Sequence, residues 1–294
     1  MIQGKRYSIG VAYMHPICPF SLSHARIFII ADTWARFKQT QGYGVVMPIA
    51  SHYGGREVIK ICDEVSRYMK GEKCEVSKDS IIWIIKNYYN VPEKDMKKLC
   101  KPISLLNYFA KQQYDNLKKL KVCCDFDNYY NTKNKKFEIF IKKIFNKYKK
   151  LGLIVNTPKG RALNYNDKKW RNETIKQLKK IKGIDKGLYK VIEEKIIELD
   201  RGWSFERKDG IGVKIEGKII DPMFDSELFC IFDSKRSHFD LPQDIFFLEE
   251  HLKNWVAKKI YAETAILPEN KRTKKYFFLG MGMINGKRIS ASRG

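Results

Sequence analysis

A loop near the start of the chain joins an apolar segment to a helix, and its position suits it to bind phosphate. Residues 7–13 (YSIGVAY) are apolar and β-rich, and the loop MHPICPFS that follows contains Pro16 and Pro19. Helical periodicity begins at Ser23. The first turn of a helix presents unpaired backbone amides and the positive end of the helix dipole, which together attract phosphate. The sequence therefore predicts a nucleotide site where this loop enters the helix.

The segments around this loop form a strand–helix–strand unit. Apolar residues at helical spacing follow the loop: Ile27, Ile30, Trp34 and Phe37. Gly42 ends this pattern, as expected of a residue just beyond a helix C-terminus, and residues 44–49 (GVVMPI) predict a second strand. A parallel β-α-β unit whose loop enters a helix is typical of nucleotide-binding domains.

The composition indicates a folded protein. The chain has 294 residues, of which 44% are hydrophobic and 13% aromatic, and this excludes wholesale disorder. No run of about 18 apolar residues occurs, and the N-terminus lacks the pattern of a secretory signal. We expect a soluble, cytoplasmic protein with no membrane partner.

The cysteines give no sign of a disulfide framework or a zinc site. They are odd in number and form no CxxC pair: Cys18, Cys62, Cys74, Cys100, Cys123, Cys124 and Cys230. We expect a reducing compartment and no bound metal.

The charge is strongly positive. Lys and Arg number 57 against 33 Asp and Glu, which gives a net charge of +24. Such an excess attracts phosphate polymers, so RNA contact is one interpretation; the other is a lysine-rich compositional bias. Eight lysines lie between Lys133 and Lys150, where they form either a solvated helix face or an RNA surface.

The middle of the chain is predicted to be helical and the last third mixed. Helical periodicity runs over residues 104–120 and 137–148, and basic amphipathic character continues to about residue 199. From residue 201 the pattern favours strands and turns, with a helix near residues 244–263.

Four segments in order carry motifs of a known family. They are SHARIFIIADTWARFKQTQGYGVVMPIASHYGG (23–55), GWSFERKDGIGVKIEGKIIDPMFDSELF (202–229), DLPQDIFFLEEH (240–251) and GMGMINGKRISASRG (280–294). Together they resemble the catalytic domain of class I aminoacyl-tRNA synthetases, and among these the leucyl enzymes.

The signatures of that family are altered here. The family's His-x-Gly-His reads Ser21-Leu22-Ser23-His24, and its Lys-Met-Ser-Lys-Ser reads Arg288-Ile289-Ser290-Ala291-Ser292. About 50 residues stand where the leucyl enzymes carry a large editing insertion, and nothing follows Gly294. The resemblance therefore implies a truncated paralogue that lacks the editing and anticodon-binding domains.

The resemblance implies an α/β fold. We expect a Rossmann-like (HUP-type) parallel sheet with helices on both faces, interrupted by a short basic helical insertion. Residues 1–150 would form the first half of the catalytic domain with a helical extension, residues 151–200 the shortened insertion, and residues 201–294 the second half, which ends at the altered Lys-Met-Ser-Lys-Ser loop.

The resemblance also implies a set of site residues. The catalytic set is His24, Ser21, Arg288 and Ser290. The ATP-binding set is Ser21, Ser23, His24, Glu250, His251, Gly280, Met281, Arg288, Ser290 and Ser292. The amino-acid-binding set is Tyr13, His15, His52, Tyr53 and His251. Asp244 is a weaker alternative to Glu250 for the ribose, and we expect Asp225 and Ser226 to hold the sheet and its adjacent loop together.

The implied reaction joins an amino-acid carboxylate to the α-phosphate of ATP, with Mg²⁺ as the ATP counter-ion. The amino acid would be leucine or a similar one, and the acceptor a tRNA acceptor arm, another RNA or a different carrier. One alternative is an inactive or weakly active paralogue that binds RNA, a nucleotide or a protein partner. Another is an RNA-binding module that acts through its charge alone.

Overall fold

The computed structural model of the chain describes residues 5–74, 80–157, 160–164, 167–198, 206–207, 210–220, 243–280, 283–284 and 287–288. The strands within these residues are β1 (Arg6–Val11), β2 (Gly44–Val46), β3 (Pro48–Ser51), β4 (Asp125–Asn131), β5 (Ile154–Thr157), β6 (Gly160–Leu163), β7 (Glu206–Arg207), β8 (Lys214–Ile215), β9 (Lys218–Ile220), β10 (Ile245–Glu249), β11 (Tyr276–Leu279), β12 (Met283–Ile284) and β13 (Lys287–Arg288). The α-helices are α1 (Leu22–Thr40), α2 (Glu57–Met69), α3 (Ile81–Trp83), α4 (Glu93–Leu99), α5 (Pro102–Lys119), α6 (Lys135–Lys150), α7 (Lys168–Lys180), α8 (Lys186–Glu198) and α9 (Lys253–Ile266).

A parallel sheet forms the centre of the fold. Its strand order is β11-β10-β1-β2, and every pairing in it is parallel. Beyond Met47, β3 pairs in parallel with β4, and a bridge between Met14 and Ser51 connects β3 to the chain after β1. The chain thus builds outward from β1 in one direction through β4 and in the other through β10 and β11, which is a doubly wound topology.

Helices cover both faces of this sheet. In β10, Ile245 and Phe247 face one side, where they pack with buried residues of α1, whereas Phe246 and Leu248 pack on the other side against α9. This alternation follows from the two-residue period of a strand, and all four side chains are buried because both faces are covered. The expected Rossmann-like α/β fold is confirmed.

A separate helical layer follows β3. Helices α2, α4 and α5 contact one another, and α3 continues into a π-helical turn at Ile84–Tyr88. Their buried residues form a cluster of their own around Val58, Leu105 and Phe109.

The segment between the two halves of the sheet is not purely helical. It begins with the antiparallel hairpin β5–β6 and continues with α7 and α8, which pack against each other and against α9. A small antiparallel sheet of order β7-β9-β8 follows.

Most predicted elements are present, with two corrections. Helix α1 begins at Leu22 and ends just before Gly42, whose φ is 80°. The strand expected at 44–49 is instead two short strands, β2 and β3. The helix expected over residues 244–263 is wrong in its first part, since Ile245–Glu249 is strand β10 and the helix begins at Lys253. None of the helices in the described ranges has the length and apolar character needed to cross a membrane.

Candidate functional site

The topology creates a crevice between the carboxyl ends of β1 and β10. These strands are neighbours, with Val11 paired to Phe247. The chain leaves β1 toward α1 and leaves β10 toward α9, so the two connections diverge. In open parallel sheets, ligands bind at such a divergence. The crevice lies beside the first turn of α1, where the sequence predicts a nucleotide site.

Ser21 caps α1 and holds His24. The Ser21 hydroxyl accepts a hydrogen bond from the His24 backbone nitrogen at 3.4 Å, and the Ser21 backbone nitrogen donates to His24 Nδ1 at 3.1 Å. The Ser21 hydroxyl also lies 3.1 Å from His24 Nδ1. This reciprocal capping box fixes the helix start and the imidazole orientation together.

The same bonds decide the protonation of His24. Burial lowers the pKa of His24 to about 4, so the ring is neutral at pH 7. Because Nδ1 accepts the bond from the Ser21 amide, the single ring proton is on Nε2. His24 therefore presents a neutral N–H donor beside the first turn of the helix.

Glu249 connects α1 to the end of β10. Its Oε1 lies 3.4 Å from Arg26 Nη2, and its Oε2 lies 3.1 Å from His251 Nδ1. His251 is thereby placed near the first turns of α1 through a shared carboxylate. Neither Arg26 nor Glu249 is among the residues that the sequence predicts for the site. A strand that ends in a carboxylate, together with an arginine in the first turns of the helix that packs on that strand, is the signal that could have found them.

The two carboxylates predicted for the ribose lie at opposite ends of β10. Glu250 is exposed and pairs with Lys253 at 2.7 Å. Asp244 precedes β10 and accepts a hydrogen bond from the Ser8 amide, so it lies at the amino end of the sheet. A five-residue strand spans roughly 16 Å, which excludes Asp244 from the crevice. The assignment of Asp244 to the ribose is wrong.

His15 and His52 lie next to each other beyond the end of β1. Their ring centroids are 5.7 Å apart, and His15 Nε2 donates to the Gly54 carbonyl at 2.6 Å. Since Nε2 carries the proton, Nδ1 of the neutral ring is an acceptor. Burial, with a smaller contribution from the charge of His52, lowers the pKa of His15 to about 4.

Tyr53 is buried and bonded within the protein. Its hydroxyl donates to Asn107 at 3.0 Å, and its backbone is held on both sides by the Thr132 hydroxyl. Its ring packs with the buried residues of the α2–α5 layer. Tyr13 is half-buried and packs against the other large cluster.

The predicted site residues at the end of the chain are described only in part. Gly280 is exposed directly after β11, the strand next to β10. Arg288 belongs to the two-residue strand β13, which pairs with β12. The remaining predictions from this region lie outside the described residues: Met281, Ser290, Ala291 and Ser292. Asp225 and Ser226 also lie outside them. Within the described part of the chain, no three His, Cys, Asp or Glu side chains lie together as a metal site would need.

Comparisons with known proteins identify the relatives of this arrangement. The sequence matches no established family profile. Over 151 residues it is 33% identical to "Leucine--tRNA ligase 2" of Sulfurisphaera tokodaii, which covers 51% of this chain and 15% of that protein. Over 146 residues it is 29% identical to the leucine–tRNA ligase of Methanopyrus kandleri, and this alignment covers 50% of this chain and 14% of that protein.

The chain is a relative of the leucine–tRNA ligases. The chain spans only about 15% of the length of these curated relatives. The fold has a broader match. The crystal structure of Mycobacterium tuberculosis methionyl-tRNA synthetase bound by methionyl-adenylate aligns with a TM-score of 0.63 and 12% identity, and covers 94% of this chain and 57% of that one. The leucine–tRNA ligase relative thus has the fold of class I synthetases.

Proposed function

We propose that this leucine–tRNA ligase relative activates an amino acid with ATP in the crevice between β1 and β10. The observation that carries the proposal is the capped start of α1, where Ser21 holds the neutral His24 ring at the helix N-terminus, beside the switch point of a synthetase fold. Leucine or a similar amino acid is the substrate that the sequence relatives favour.

In this reaction the amino-acid carboxylate attacks the α-phosphorus of ATP, and pyrophosphate leaves. No covalent bond to the protein forms, so the protein contributes positioning and stabilisation of negative charge on phosphate oxygens. The Nε2–H of His24 is a donor suited to those oxygens, and the positive end of the α1 dipole lies beside it. Because the His24 ring is neutral, it stabilises the charge as a hydrogen-bond donor and not as a cation.

The amino acid would lie on the β3 side of β1. Nδ1 of His15 is an acceptor of the kind that an α-ammonium group requires, and the ring beside it is that of His52. Tyr13 would form the apolar side of the same pocket. Tyr53, whose hydroxyl is bonded to Asn107, would act by holding His52 in position.

Mg²⁺ would enter as the counter-ion of ATP. Arg288, Ser290 and Ser292 would contact the triphosphate, as the resemblance implies. The acceptor of the activated amino acid would be a tRNA acceptor arm or another RNA, to which the net charge of +24 is suited.

A second candidate is a paralogue that retains the fold for binding and has little or no catalysis. The observation in its favour is that each signature lacks one functional group: the first has Ser21 in place of the family's first histidine, and the second has lost the cation of a lysine. Ser21 is committed to capping α1, and Ala291 stands where the family has a lysine. Losing one preorganised donor typically slows a reaction by about 10²–10³.

ATP–pyrophosphate exchange against each of the twenty amino acids tests the proposal. We expect exchange with leucine or a similar amino acid and a loss of about 10²–10³ in His24→Ala. Leu22→Ala is the matched control, since Leu22 is in the same turn and 61% exposed. If no amino acid supports exchange and calorimetry detects no ATP binding, the catalytic proposal fails. ATP or RNA binding without exchange would support the second candidate.

A further inference from the structure

A second cavity lies at the amino end of the sheet, opposite the crevice. It has a volume of about 410 Å³, within the usual size range for sites that hold small molecules. Asp244 and Lys274, which immediately precede β10 and β11, line it together with the end of α7. Because parallel strands share one direction, this cavity is separated from the crevice by the length of the sheet.

The described lining of this cavity is positively charged. Lysine and arginine side chains outnumber carboxylates by five to two among the residues that line it, which are Lys180, Lys182, Arg272, Lys274 and Lys275 against Asp244 and Glu269. Both carboxylates are already paired, Asp244 with Lys274 and Glu269 with Lys180. Arg272 shares Glu269 with Lys180, so the lining keeps an excess of three positive charges, and Lys182 and Lys275 contribute most directly to it.

The remaining cations are held in place by groups that leave their charge intact. The Lys275 ammonium lies 5.1 Å from the centre of the Trp34 ring. Arg272 donates to the carbonyls of Leu267 and Thr264 and to the Gln177 side chain. Carbonyl and ring contacts fix a cation without neutralising it. The positive field of the cavity is therefore preorganised.

Lys182 is fixed through its backbone. Its nitrogen donates to the Lys274 carbonyl, and its own carbonyl accepts from the Tyr276 nitrogen, so this residue adds to the edge of β11. Gly183 permits the approach, since a Cβ there would lie 2.6 Å from the Tyr276 carbonyl oxygen and its φ is +81°.

A buried network supports the wall behind these residues. Lys259 is fully buried, and its ammonium donates to Glu263, to the Thr273 hydroxyl at 2.6 Å and to the Tyr276 hydroxyl at 3.3 Å. Glu263 also accepts from the Thr273 backbone nitrogen at 3.1 Å. Thr273 itself lines the cavity, so its position depends on this network.

We propose that this cavity binds a phosphorylated small molecule of nucleotide size. A phosphate monoester carries nearly two negative charges, and lysines and arginines are its usual protein partners. The volume exceeds what a phosphate group alone would fill. Such a ligand is either a free nucleotide, whose phosphate is a monoester, or a nucleotide within an RNA strand, whose phosphodiester carries one negative charge; lysines and arginines bind both.

Lysine acetylation read by mass spectrometry tests the proposal residue by residue. The probes are AMP and a single-stranded RNA of ten nucleotides. We expect the reaction at Lys182 and Lys275 to slow at least fivefold with one of them, while Lys94 and Lys97, exposed on α4, react unchanged. Protection by AMP identifies a free nucleotide, and protection by the RNA alone identifies a strand. The proposal would be overturned if each of the four lysines were acetylated at the same rate with and without either probe.

A pair of charge variants provides the second measurement. In Lys182→Gln/Lys275→Gln, the probe concentration that half-protects Lys274 should rise at least tenfold. Lys182→Arg/Lys275→Arg should restore protection, and Lys94→Gln/Lys97→Gln is the control with the same change in net charge. An unchanged midpoint in the glutamine pair, in protein that circular dichroism shows to be folded, would contradict the site.

Discussion

Arg26 in α1 and Glu249 at the end of β10 form an ion pair, with 3.4 Å between Nη2 and Oε1. Both side chains are largely shielded from solvent, and the second oxygen of Glu249 lies 3.1 Å from His251 Nδ1. One carboxylate thus connects segments more than two hundred residues apart in the chain. It also positions the residues on both sides of the crevice.

Neighbouring glutamates allow a matched test of this connection. Glu249→Gln removes the charge that orients Arg26 and His251, and we expect ATP binding to weaken about tenfold, by roughly 1–2 kcal/mol. Glu250→Gln changes an exposed residue paired with Lys253 and should have no more than a twofold effect. Calorimetric titration with ATP distinguishes them. A larger loss in Glu250→Gln would return the ribose contact to Glu250, as the sequence alone predicts.

The sequence indicates α1 better than it indicates the face that α1 buries. The spacing of Ile27, Ile30, Trp34 and Phe37 predicts the helix, but the buried residues are Ile27, Phe28, Ala31 and Ala35. Phe37 is 49% exposed. Small alanines lie against the sheet because the helix packs close to it, and hydrophobic periodicity alone gives them little weight.

At the site, hydrophobic periodicity is equally insufficient to predict strand β10 and the role of Glu249. The run IFFL is short and apolar, and such a run fits a buried strand or a buried helix equally well. Assigning it to a helix conceals which of Glu249 and Glu250 ends the strand at the crevice. The start of α1 was predicted to within one residue because its signals are local, whereas the pairing of Arg26 with Glu249 depends on tertiary contact.

The buried histidines predict a loss of stability in mild acid. Burial lowers the pKa of both His15 and His24 to about 4, below the value near 6.5 of an unfolded chain. Above pH 6.5 both states are neutral and stability is unaffected. As the pH falls from 6.5 to 4, only the unfolded state gains protons, so each histidine removes up to roughly 3 kcal/mol.

Urea unfolding at several pH values measures this loss. His15→Gln/His24→Gln should show a smaller decrease in the free energy of unfolding between pH 6.5 and pH 4.5 than the unmodified chain. The comparison uses the slope with pH, so a uniform loss of stability in the variant does not affect it. Equal slopes would show that these rings do not titrate in the expected range.

Lys259 and Glu263 predict strong coupling in a double-mutant cycle. Both are buried and bonded to each other and to Thr273. Lys259→Met leaves an unpaired buried carboxylate and should cost about 3–5 kcal/mol, whereas Lys259→Met/Glu263→Leu should cost less than that single change. Denaturant unfolding gives both values. Additive losses would mean that the two charges do not stabilise each other.

Ala291 offers a test in which activity is gained. In the leucyl enzymes that this chain resembles, a lysine occupies this position, and a cation there would neutralise the departing pyrophosphate. If the second signature retains the register Arg288-Ile289-Ser290, Ala291→Lys should raise the rate of ATP–pyrophosphate exchange by about 10²–10³. Ala291→Gln is the control, since it adds a long polar side chain without charge. Equal rates in the two variants would show that a cation at residue 291 does not reach the triphosphate, and the Lys-Met-Ser-Lys-Ser register would then be wrong even if His24 is catalytic.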